Sequence, residues 1–115
     1  MTHAEHAALI WPVLALAART QQLLTYSDVQ GFTGIAAQGL GPPLGLIHAY
    51  CERRGWPRLN LIVVQRASGL PGEGVPGKGM TDNQILVEQS HVFVFDWSSK
   101  EKPRSRDFES LKQVT

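Results

Sequence analysis

Apolar residues recur along the first part of the chain with the period of an α-helix: Leu9, Ile10, Val13, Leu14, Ala17 and Ala18 fall on one stripe. Thr2 and Glu5 form a capping box, in which hydroxyl and carboxylate each meet an unpaired helix-end donor. The pattern predicts a first helix over residues 3–21, kinked or restarted at Pro12, whose ring removes a ladder bond. A short second helix is expected from Ser27 to Phe32, with Thr25 or Ser27 as cap and Gly31 or Gly34 as stop. A third begins at Pro42 or Pro43, residues suited to a first helical position, and sets Leu44, Ile47, Tyr50 and Cys51 on one stripe. It ends at Gly55, after Arg53 and Arg54, whose charges complement the helix dipole.

The pattern then changes. "RLNLIVVQR" is short, β-branched and bounded by Trp56-Pro57 and Ser68-Gly69, which predicts the principal strand, with Leu61 to Val64 central and buried. "GLPGEGVPGKGMT", Gly69 to Thr81, follows as a loop with five glycines and two prolines. Thr81 and Gln84 form a second capping box, opening a helix over about Asp82 to Ser90. "HVFVFDW" either continues that helix or alternates as a strand. From Ser98 the chain is charged and polar, and the expected arrangement is one domain over residues 1–97 with a flexible charged tail over 98–115.

A chain of 115 residues with 43% hydrophobic and 18% charged content is large enough for a single core. The single cysteine, Cys51, excludes an intramolecular disulfide and a cysteine-rich zinc site, and fits a reducing cytosol. Ala7 to Ala18 is too short to span a bilayer and lacks the basic flank of a secretion signal, so the expectation is a cytoplasmic protein without a membrane partner. The net charge is +1, yet Arg53, Arg54, Arg58, Arg66 and Lys78 stand against Glu73 alone over residues 53–78. Such a local basic face binds phosphates where the average charge does not suggest it; it is equally compatible with an ordinary solvated surface.

Two phosphate-binding patterns lie within the glycine-rich loop. Gly72-x-Gly74-x-x-Gly77 matches a dinucleotide fingerprint, and Gly72 to Lys78 matches most of a P-loop. Both need a strand running directly into the loop, but Ala67 to Pro71 intervene, Pro71 and Pro76 lack backbone donors, and Gly79 replaces the metal-binding hydroxyl. A nucleotide cradle is therefore not expected, nor any cofactor or metal. The loop is read as a connector or as backbone approaching nucleic acid closely.

Three segments together resemble the DNA-binding domain of alkylguanine-DNA alkyltransferases and their non-catalytic alkyltransferase-like relatives. "LTYSDV", Leu24 to Val29, resembles the family's "(S/T)-Y-G-E-L" opening of the first helix of a helix-turn-helix. "LIVVQR", Leu61 to Arg66, resembles the strand carrying "I-P-C-H-R", and the glycine-rich loop resembles the turn "G-x-L-x-G-Y-x-G-G". The resemblance implies an α+β winged-helix-like fold with a glycine-rich wing, a phosphate contact for Tyr26 and a site role for Arg66. Val63-Val64-Gln65-Arg66 stands where the family has Pro-Cys-His-Arg, so no thiolate accepts an alkyl group. Pro42-Pro43-Leu44-Gly45 replaces the recognition-helix "R-A-V-G", which removes the arginine that displaces a base.

His48 and Cys51 lie three apart on the third helix, but a nucleophilic pair needs an orienting group as well. A hydrolase or nuclease built on His48, Glu73 or His91 has no convergent motif. The leading expectation is non-catalytic binding of duplex or structured DNA through Tyr26, Arg53, Arg54, Arg58, Arg66 and Lys78. The alternative is a protein-interaction module, such as a small inhibitor or immunity protein, using the glycine loop and Lys100 to Arg106.

Overall fold

A computed structural model of the chain describes residues 1–72 and 79–112. Helix α1 spans His3–Arg19 and α2 spans Tyr26–Thr33, joined by β1, Leu24–Thr25. Helix α3 covers Gly41–Arg54, β2 covers Val63–Val64, α4 covers Asp82–Val94 and α5 covers Ser105–Lys112. Three 3₁₀ turns, Ala37–Gly39, Leu59–Ile62 and Trp97–Ser99, complete the described elements. The class is α+β, with a two-stranded parallel sheet in which Leu24 pairs with Val63 and Thr25 with Val64.

The helix starts follow directly from sequence. Thr2, Thr25 and Thr81 each accept from the backbone three residues on, and Glu5, Asp28 and Gln84 return the bond. Each exchange satisfies two donors that a helix start leaves free. Helix α1 continues through Pro12, which lies on its exposed face, while Ala4, Ala7, Ile10, Trp11, Leu14, Ala17 and Ala18 are buried. It is the central element, packed by α3, α5, α2, α4 and the Leu59–Ile62 turn. None of the described helices is long and apolar enough to cross a membrane.

The principal strand is largely replaced by a 3₁₀ turn. Leu59 to Ile62 are fully buried, as expected of a central segment, but their backbone has other partners than a ladder. Leu61 N–H donates to the Arg58 carbonyl, Val63 N–H to Asn60, and Gln89 Nε2 donates to the Leu61 carbonyl at 2.8 Å. The sheet cannot lengthen at its other strand either, because Thr25 is already the N-cap of α2. A buried segment must pair its polar groups somehow, and here the turn and one glutamine do so.

Two further readings are settled by burial. "HVFV" continues α4, because Ile85, Gln89 and Val92 are buried at spacings of four and three, a helical stripe. The expected flexible tail is corrected: Ser105–Lys112 is helical and packs on α1 and α3. Phe108 is fully buried, and Leu111 and Pro103 are buried with it, so three apolar anchors offset the cost of ordering this charged segment.

Phe108→Ala is expected to destabilise the fold by about 3–5 kcal/mol, the cost of emptying a closed aromatic site. Urea denaturation monitored by tryptophan fluorescence checks this; an unchanged midpoint would mean that the last helix adds nothing to the core.

Candidate nucleic-acid interface

The expected contact residues fall in separate places. Tyr26, the first residue of α2, is half-buried, and its hydroxyl accepts the Gly72 N–H at 2.9 Å. A Cβ on Gly72 would lie 3.1 Å from that hydroxyl and 3.3 Å from Gln65 Nε2, so the glycine allows this close approach. Arg66 is exposed beside Gln65, in a turn closed by Gln65 N–H to Leu70 and Gly69 N–H to Gln65. Tyr26 and Arg66 thus belong to the base of the glycine-rich loop. Lys78, Glu73 and the phosphate-cradle patterns' central residues lie outside the described residues.

Arg58 is occupied by the protein itself. Its Nη1 lies 3.2 Å from Glu88 Oε2 and its Nη2 3.1 Å from Glu52 Oε2, and its backbone N–H donates to Glu88. His48 and His91 extend the network, each 3.5 Å from Glu52 and Glu88 respectively. This guanidinium ties the end of α3 to α4 across partly screened ion pairs. Burial is the main cause that lowers the His48 pKa, with the Glu52 charge opposing it. The His48 ring also faces the buried Asn60 amide, though neither His48 Nδ1 nor that amide finds a well-aligned partner.

Cys51 is fully buried, and the loss of solvent pushes its thiol up to about 12. A thiol so protonated is not a nucleophile at neutral pH. The His48–Cys51 spacing therefore packs rather than reacts. Among the described residues no group of three or more His, Cys, Asp or Glu side chains is placed to hold a metal ion.

Five other cations gather elsewhere. Gly55, at φ +73°, ends α3 and lets Trp56 N–H return to the Cys51 carbonyl at 2.9 Å. This turn folds Trp56 back beside Tyr50 and Arg54. The Arg54 guanidinium stands 5.2 Å from the Tyr50 ring centroid and 5.5 Å from Trp56. The Lys100 ammonium stands 5.7 Å from Trp56 and 5.4 Å from Phe95. With these residues, Ser99, Glu101 to Arg104 and the first turn of α5 line a cleft of about 350 Å³.

Arg54, Lys100, Lys102, Arg104 and Arg106 line this cleft with Glu101 and Asp107. Asp107 is partly used by the backbone, accepting the Arg104 N–H at 2.7 Å. Among the described residues no carboxylate lies within 4.0 Å of any of the five cations. All five are exposed, while Pro103 between Lys102 and Arg104 is buried. The basic composition of "KEKPRSR" is the signal in the sequence, and the buried Pro103 holds that segment against the fold. Arg54 belongs to both the expected contact set and the cleft. Arg53 is exposed at the same helix end but does not line it.

What this arrangement can do is bind anions. Exposed cations over aromatic faces hold positive potential at a concave surface, with cation–π contacts of about 0.5–1 kcal/mol that a ligand readily exchanges. No protein-family model, curated protein or solved structure matches the chain.

Arg58→Met is expected to cost about 1–2 kcal/mol of stability, less than breaking a fully buried pair, because the groups are partly solvated. Chemical denaturation measures it, and a neutral result would remove the network's structural role. His48 supplies a pH dependence of known sign. Its folded pKa lies below the ordinary 6.5, so its contribution is complete above that value and is lost as pH falls through the folded pKa. His48→Gln should flatten the decline in melting temperature as pH falls below the ordinary histidine value of about 6.5; an unaltered pH profile would contradict this.

Proposed function

We propose that the protein is a non-catalytic nucleic-acid-binding domain that contacts mainly the phosphate backbone. The observation that carries this reading is the cleft at the end of α3, lined by Tyr50, Trp56 and five exposed cations that make no ion pair with any described residue. In this proposal α2 and α3 play the parts of a helix-turn-helix in a winged-helix-like domain, with the loop after β2 as its wing. A cytoplasmic setting is part of the same reading, consistent with one free thiol at Cys51.

Backbone rather than base recognition follows from the composition of α3. Between Gly41 and Cys51 its sole exposed residue is Pro42, and its first polar side chain is His48, which faces Glu52. Direct readout needs Arg, Lys, Asn or Gln reaching base edges, and this helix offers none before Arg53. Phosphate contacts position a partner without reading sequence.

A protein-interaction module is the second reading. Its support is an apolar groove of about 240 Å³ formed by Val13, Leu16, Ala17, Leu24 and Phe32. Leu16 and Phe32 are 59% and 69% exposed there, apolar surface within reach of a partner.

Lys102→Glu combined with Arg104→Glu is expected to weaken oligonucleotide binding by at least about tenfold while leaving the melting temperature unchanged. Fluorescence anisotropy across a salt series measures it, with the wild-type affinity falling steeply and the variant slope shallower by roughly two. Binding that ignores both the charge reversal and salt would end the nucleic-acid reading and favour the protein-interaction one.

A further inference from the structure

We infer that the cleft takes single-stranded nucleic acid, with one base stacked on Trp56 and the neighbouring phosphates held by Arg54, Lys100, Lys102 and Arg104. The inference rests on the nucleic-acid reading and names the form of the partner. Its first ground is shape. The cations surround a concave space of about 350 Å³, the size of a nucleotide-scale ligand site, rather than crowning a projecting element. Reading a duplex by sequence needs an element that enters its groove, and α3 exposes no polar side chain along Gly41 to Cys51 with which to do so.

The second ground is the wall. Trp56 is half-buried while Trp11 and Trp97 are each 4% exposed, so one indole of the three borders the cleft with accessible ring surface. The ring is held in place by Tyr50 at 5.9 Å, Phe95 at 5.9 Å and Trp97 at 6.2 Å between centroids. A pre-ordered aromatic plane costs little entropy to use. Arg54 and Lys100 lie over it on long stems, and a base that displaces them leaves both heads placed for the flanking phosphates. A stacking plane beside a cationic track is how single strands are bound without sequence preference.

The test is a fluorescence titration of the full chain with an oligothymidylate of about ten nucleotides and with a duplex of the same length. The expected result is quenching of tryptophan emission by the single strand and affinity about tenfold above that for the duplex. Trp56→Phe should bind within about threefold and lose the quenching; Trp56→Leu, confirmed folded by circular dichroism, should lose about tenfold. Quenching that survives Trp56→Phe overturns the inference, and so does a duplex bound as tightly as the single strand. In the latter case backbone binding itself stands, whereas failure of both nucleic acids to bind removes the two together.

Discussion

The indole of Trp11 meets Tyr50 edge-on at 5.6 Å and Trp97 edge-on at 5.8 Å, and lies 6.3 Å from Phe108 and 6.4 Å from Trp56. These rings come from α1, the end of α3, the turn after α4 and α5, so one buried side chain holds together four segments far apart in sequence. Edge-to-face geometry adds to the burial of each ring, and it also fixes their relative tilt. The cleft inherits that order. Its wall is the outer margin of the same cluster, and its opposite bank is the segment that Phe108 and Pro103 tie down.

Charge is partitioned on the same frame. Glu52 and Glu88 take up Arg58, and His48 and His91 stand behind them, so the carboxylates at the α3–α4 junction neutralise the cation nearest to them. The five cations of the cleft share it with Glu101 and Asp107 but make no ion pair within 4.0 Å among the described residues. A formal net charge of +1 therefore conceals a paired junction and an unpaired basic surface. The distinction is one of geometry, and it decides which arginines remain available to a phosphate.

Local chemistry made much of the fold readable. Threonine followed three residues later by a side chain that bonds back marks a helix start at residues 2, 25 and 81, and glycine at 34 and 55 supplies the left-handed end. "LNLIVV" was misleading because β-branched, fully buried residues satisfy a strand pattern equally well when a 3₁₀ turn and Gln89 meet their backbone. The last helix was hidden by its charge. Phe108 and Leu111 are two apolar residues three apart, too few for a periodic signal, yet each finds a closed site against α1 and α3. For the candidate site, Arg54 was legible as a basic helix end, whereas Arg58 required knowing that Glu88, thirty residues away, comes within 3.2 Å. The basic run from Lys100 to Arg106 was visible as composition, but only the packing of α5 turns it into the bank of a cleft.

In the proposed function, binding resides where the cleft cations meet the aromatic margin. Backbone amide shift mapping on the full chain, titrated with a short single-stranded oligonucleotide, tests it most directly. The largest shifts are expected at Arg53 to Trp56 and Ser99 to Asp107, with Arg58 and Glu88 little moved. Shifts centred instead on Tyr26, Arg66 and Gly72, or on Leu16 and Phe32, or absent throughout, would contradict it.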